Sequence, residues 1–300
     1  MTPALSIIVV NHNAGEHLAE VVGAAWGAAP HAEVVVVDNG SEDHSIPILL
    51  ERYRSASRLH LVRIPGNIGF GRAVNYAASF CQGELMLLLN PDCHLEASTI
   101  AACSAALAAH PEAAMAGCLI RNPDGSEQRG CRRQLPKPAS ALAFFWSRWR
   151  KRPQESDFNL TGQPLPAAPV TVEAISGAFM LIRRRVFQQI DGFDAGYFLH
   201  GEDLDLCLRL KQHGWGILFV PQAMATHWQG SCSTRRPFFV AWHKHQSMVR
   251  YYRLHLAAGD PLPMRLLVPL GIMLHGALTM VQLGASRLVP ARGSSSGRTP

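Results

Sequence analysis

Residues 5–10 (LSIIVV), 33–37 (EVVVV), 59–64 (LHLVRI) and 84–89 (ELMLLL) are short, almost continuously apolar runs, separated by helix-compatible segments at 17–28, 45–53 and 70–80. A strand that is apolar at every position, rather than at alternate ones, has to be covered on both faces. Strands that alternate with helices achieve this as a parallel sheet with helices on each side. In such a sheet, ligands sit beyond the carboxyl ends of the strands. The polar residues obey that rule, because Asn11-His12-Asn13, Asp38-Asn39 and Asn90-Pro91-Asp92 each follow an apolar run directly. An Ala-rich helix over 97–109 and a strand over 113–119 continue the alternation. The expected class is α/β, with a mostly parallel sheet flanked by helices.

The pattern becomes irregular and proline-rich over 122–169. Within it, 141–152 (ALAFFWSRWRKR) mixes aromatic with basic residues, which suits either a membrane-interface segment or a surface helix packing its aromatics inward. Strand character returns at 170–182, a helix is expected over 202–212, a strand over 216–220 and a long helix over 238–256. Residues 266–285 carry no charge and are about long enough to span a bilayer. Pro269, His275 and Gln282 interrupt that stretch, and Arg265 and Arg287 flank it on both sides, so charge gives no orientation. A span, an interfacial or re-entrant helix and a dimer contact all remain open.

A chain of 300 residues, 48% apolar, fits one large domain or one domain with appendages. Its net charge of +6 is clustered: Arg148, Arg150, Lys151 and Arg152; Arg183 to Arg185; Arg235 and Arg236; and Arg287, Arg292 and Arg298 near the end. Such clusters suit an anionic membrane face or a phosphate-bearing ligand. No nucleic-acid-binding signature accompanies them, so no nucleic-acid partner is expected. The seven cysteines are scattered singly, against a zinc knot or a disulfide framework. Cys93, Cys103, Cys118 and Cys207 read as small buried hydrophobes. The first strand opens without a charged leader or cleavage site, which points to the cytoplasm.

Chemistry concentrates in residues 175–215 (ISGAFMLIRRRVFQQIDGFDAGYFLHGEDLDLCLRLKQHGW), where Asp194, Glu202, Asp203 and Asp205 gather around a Gly-Phe-Asp turn. Acids grouped beside a turn and an apolar surface bind a metal or act as a base. Glu202 and Asp203 head a helix, where the partial positive charge stabilises carboxylates. Adjacent residues there face different ways, so one is expected to act chemically and the other to orient, unless the pair merely caps the helix. Asp92, delivered by a buried strand, is placed either to hold Mg²⁺ or Mn²⁺ or to cap the next helix. His227 reads as a further metal ligand or as a structural histidine. Asp38 has the position of a ribose or base ligand or of a simple turn residue. The loop 65–75 (PGNIGFGRAVN) is either a phosphate cradle or a plain capped turn.

The ordered set SIIVVNHN, VVVVDNGSEDHS, PGNIGFGRAVN, LLLNPD, PDGSEQRGCRR, ISGAFMLIRRRVF, GFDAGYFLHGEDLDLCLRLKQHGW and THWQGSCS runs through about residues 5–233. It resembles the inverting family 2 glycosyltransferases of GT-A fold, in particular their bacterial rhamnosyltransferase-like branch. The resemblance implies a Rossmann-like GT-A domain over 1–233; the residues that follow read as a helical extension over 234–263 and an apolar, membrane-associating segment with a basic disordered tail over 264–300. It implies that Asn11, Asp38, Asn39, Asn67 and Arg72 serve the nucleotide and that Asp203 is the general base. Glu202 and Gly177 would then lie on the acceptor side, and Asp92 with His227 would hold Mg²⁺ or Mn²⁺. Asn90 stands where the family's metal motif has its first acid. The expected reaction moves a sugar, with rhamnose favoured by the resemblance, from a nucleotide diphosphate to a lipid-linked saccharide acceptor at the cytoplasmic face of the inner membrane, for cell-surface polysaccharide. A non-catalytic nucleotide-sugar-binding subunit and a sugar-1-phosphate nucleotidyltransferase are the alternatives. A Rossmann dehydrogenase is disfavoured by the lack of a first-turn glycine fingerprint.

Overall fold

A computed structural model describes residues 4–136, 158–228 and 236–288. The segment 141–152 and the 233/234 domain boundary lie outside the described residues. Strands β1 (Leu5–Asn11), β2 (Glu33–Asn39), β3 (Leu59–Ile64) and β4 (Leu85–Leu89) alternate with helices α1 (His17–Ala28), α2 (Ser45–Tyr53) and α3 (Phe70–Ala78). Next come β5 (Cys93–Leu95), α4 (Thr99–Ala109), β6 (Ala113–Arg121), β7 (Arg132–Arg133), β8 (Val170–Thr171), β9 (Ala174–Ile175) and β10 (Phe179–Arg183). The chain continues through α5 (Arg184–Gln189), α6 (Glu202–Gln212), β11 (Gly216–His227), α7 (Pro237–Tyr251) and α8 (Leu262–Leu288).

The main sheet runs β3-β2-β1-β4-β10-β6-β11-β5, with β8 attached to β11. β1 pairs in parallel with β2 and β4, and β2 with β3, while β10 lies antiparallel between β4 and β6. The continuous apolar runs have their cause here. Side chains alternate faces with a period of two, so Ile7 and Val9 enter one core while Ile8 and Val10 enter the other. Val34 and Val36 part from Val35 and Val37 in the same way. Each fully buried aliphatic of this kind contributes about 1.5–3 kcal/mol. β3 stands at the sheet edge and is only half-buried. Cys81, Cys93, Cys103, Cys118, Cys131 and Cys207 are buried free thiols.

Two expected strands differ in extent. The run 170–182 is three pieces: β8 joins β11, β9 pairs with β7 in a separate two-stranded sheet, and β10 enters the main sheet. The break falls at Ser176-Gly177, which passes beside the start of α6; a Cβ on Gly177 would make ordinary contact with Asp203, 3.5 Å from its Cβ. The strand expected over 216–220 extends to His227, with a register shift between Val220 and Met224. Pro221 lies in that shift, where a missing N–H is tolerated.

The long helix expected over 238–256 is α7 followed by a π-helical turn, Tyr252–Leu256. α7 and α8 pack antiparallel, because Tyr252 Oη donates to the Met264 carbonyl while His245 contacts His275 farther along. Tyr197, Tyr251, Tyr252, Leu256, Val268 and Ile272 form the core between this hairpin and the sheet domain. Arg250 grips Asp194 at 2.8 Å, and His255 bonds Asp205 at 2.7 Å.

Candidate active site

The carboxyl ends of β1, β2 and β4 open into a cleft of about 630 Å³, closed on its far side by the start of α6 and the first turn of α7. Two glycines fit its loops together. A Cβ on Gly40 would lie 2.7 Å from the backbone of Gly66, and one on Gly69 would lie 2.6 Å from the Phe198 carbonyl oxygen; both have positive φ. The loop after β2 therefore rests on the 65–75 loop, which in turn rests on the segment ahead of α6. Asn39 secures the first contact: its Nδ2 donates to Asn67 Oδ1 at 3.1 Å, and its Oδ1 accepts from Ile68 N at 3.0 Å.

Asp92 and His227 meet at the cleft floor because β5 and β11 pair directly beside them, Cys93 opposite His227. Asp92 Oδ1 lies 3.1 Å from His227 Nε2. On the other side of the ring, His227 Nδ1 stands 2.7 Å from Gln128 Oε1. The Gln128 amide faces that way because its Nε2 donates to the His227 carbonyl and to Asn122 Oδ1, at 3.1 and 3.0 Å. An amide oxygen accepts only, so Nδ1 carries a hydrogen and donates it to Gln128, which turns Nε2 toward the Asp92 carboxylate. An imidazole fixed by an outer hydrogen bond, beside a carboxylate oxygen, is a donor set that fits a divalent cation.

Glu202 and Asp203 begin α6, preceded by His200 and Gly201 in left-handed conformation. Their environments differ sharply. Burial opposes the charge on Asp203, but the Arg133 guanidinium beside it and its hydrogen bond outweigh burial and hold the carboxyl below the usual carboxylate range. Glu202 has no such partner, and its Oε2 is buried without a hydrogen bond. Burial, reinforced by the Asp203 charge, pushes its pKa up. Near neutral pH the pair is therefore one neutral acid and one carboxylate, the separation that assigns acid and base roles to adjacent groups. Arg133 also donates to the Ile175 carbonyl at 2.7 Å, which fixes it between β9 and α6.

Residues 3–247 match the glycosyltransferase-like family 2. The chain belongs to this family. Among its relatives, the N-acetylglucosaminyl-diphospho-decaprenol L-rhamnosyltransferase of Mycobacterium tuberculosis is 30% identical over 257 residues, spanning 79% of this chain and 80% of the relative. Rhamnosyltransferase WbbL of Escherichia coli K12 is 27% identical over 258 residues, or 82% and 91% of the two chains. A solved mannosyltransferase from Pyrobaculum calidifontis, in complex with GDP-Man and Mn²⁺, superposes with a TM-score of 0.59 at 15% identity, covering 97% of this chain and 82% of that one. GalNAc-T7, solved with UDP, GalNAc and Mn²⁺, gives 0.56 at 18% identity, over 88% and 53%. The fold is GT-A, and the protein is a glycosyltransferase.

In this family 2 glycosyltransferase the cleft brings together Asn39, Asn67, Asp92, Gly177, Glu202, Asp203 and His227. Three other sequence candidates stand behind or beside the wall. Asn11 is fully buried, donating to Ser41 and Ser45 Oγ at 2.9 and 2.8 Å, and Asp38 accepts from Ser41 N at 3.0 Å. Arg72 Nε donates to the Ala195 carbonyl at 2.7 Å, outside the cleft lining. Reading the sequence missed Gln128, Arg133, His200 and Phe239, all in the lining. The paired arginines of RGCRR were the available signal for Arg133; nothing local marks Gln128.

Proposed function

We propose that this glycosyltransferase moves a sugar, with rhamnose favoured by its relatives, from a nucleotide diphosphate to a lipid-linked saccharide at the cytoplasmic face of the inner membrane. The observation that carries the reading is one cleft holding an ionised Asp203 beside Arg133 and, on its floor, the Asp92–His227 pair. Asp92 and His227 would hold Mg²⁺ or Mn²⁺, which when bound supplies positive charge to the departing diphosphate. Asn39 and Asn67 face the nucleotide, and Asn11 and Asp38 brace the loop beside it. Arg72 contributes at the rim, where it now ties down Ala195.

Asp203 takes the proton of the acceptor hydroxyl as that oxygen attacks the anomeric carbon from the face opposite the diphosphate. The bond to the diphosphate breaks, its electron pair leaves with the phosphate oxygen, and one displacement inverts the centre. Glu202, kept neutral, donates a hydrogen bond that orients the acceptor. Gly177 leaves open the space beside Asp203 that a side chain would take.

The donor site is tested by thermal shift with nucleotide diphosphates and their sugars, with and without Mn²⁺, on wild type and Asp92→Ala. Binding to the native state raises apparent stability by mass action. The expected result is a metal-dependent shift with dTDP or UDP compounds that the variant loses. No shift with any nucleotide on folded protein contradicts the reading.

A further inference from the structure

A second group of metal-ligating side chains lies away from the cleft. His17 opens α1, Glu20 follows one turn later on the same helix face, and His94 projects from the centre of β5. Their donor atoms converge. Glu20 Oε2 lies 3.3 Å from His17 Nδ1 and 3.8 Å from His94 Nε2, and all three ligand atoms fall within 4.8 Å of one another. The two rings meet nearly edge to face, with an interplanar angle of 86°. Ligand atoms held about 2.1 Å from a tetrahedral zinc ion stand about 3.4 Å apart, so little movement separates this trio from a coordination shell.

We propose that His17, Glu20 and His94 form a second cation site that takes a borderline transition ion such as Zn²⁺. Two imidazoles and one carboxylate favour zinc over magnesium, which prefers an all-oxygen shell. Each ligand is partly exposed, so an ion reaches the site without any opening of the fold. The site joins α1 to β5, and β5 pairs with β11 so that His94 stands opposite Thr226 and Cys93 opposite His227. A bound ion therefore ties α1 to the β5–β11 edge of the main sheet, where Asp92 directly precedes β5 and His227 ends β11. It acts as a clamp on the cleft floor and takes no part in the transfer itself.

The experiment is isothermal titration of ZnCl₂ into the full-length protein bearing Asp92→Asn and His227→Gln, which mute the cleft, with excess Mg²⁺ present. One equivalent of zinc is expected to bind and to raise the melting temperature. Adding His94→Asn or Glu20→Gln should weaken that binding by at least an order of magnitude, with the metal-free melting temperature unchanged. The same substitutions in the wild-type background should remove one equivalent from the total. Zinc binding that survives His94→Asn and Glu20→Gln places the ion elsewhere and overturns the proposal, as does an absence of binding in the cleft-muted protein.

Discussion

Within the Glu202–Asp203 pair, adjacent carboxyls are driven in opposite directions, and each direction has a measurable sign. The pKa of Glu202 rises from an ordinary 4.5 to about 8 on folding, because burial disfavours its charge. A group raised in this way contributes stability in full below its unfolded value and loses it as pH climbs through the folded one. Glu202→Gln keeps the neutral form at every pH. It should melt with the wild type near pH 4 and several degrees above it at pH 8.5, at about 2–4 °C per kcal/mol. Coincident melting curves across that range would contradict the assignment. Asp203 runs the other way, its charge favoured by Arg133. Arg133→Met leaves burial unopposed, so the acid limb of kcat/KM should move up by about one pH unit or more, while Arg133→Lys restores part of the shift. An unmoved limb would show that the arginine does not set the ionisation of the base.

Elements were more legible in the sequence than contacts. The apolar runs 5–10 and 33–37 named their strands because every position is buried, and the helix over 202–212 has the expected bounds. The run 170–182 misled because composition alone does not reveal that its three pieces pair with different strands, β8 with β11, β9 with β7, and β10 with β4 and β6. Gln128 and Arg133 escaped for a related reason: their partners His227 and Asp203 lie 99 and 70 residues away. Their roles exist only once β7, β9 and β11 are assembled. Conversely, the motif carrying Asn11 and Asp38 was visible, but not that both side chains turn inward to hold Ser41, leaving Asn39 to face the cleft.

At the scale of the molecule, the α7–α8 hairpin shapes how the enzyme would meet its acceptor. α8 is long and apolar enough to cross a membrane, yet Val268 and Ile272 are buried against α7 while Leu266, Leu270, Leu274 and Leu278 form an exposed stripe. α8 carries no acid, Arg265 sits in its first turn, and Phe239 of α7 lines the cleft. A one-sided apolar stripe fits the surface of a bilayer better than its interior. Leu270→Asp with Leu274→Asp should abolish flotation with phosphatidylglycerol vesicles and leave the melting temperature within about a degree. A dimer that falls apart while flotation persists would assign the stripe to a second copy. The most direct test of the whole account is Asp203→Asn, assayed for sugar transfer and for nucleotide-sugar affinity in the same preparation. Transfer should fall by at least about a hundredfold with affinity within a few-fold of wild type. Near-full transfer by the variant would contradict the assignment of Asp203 as the base.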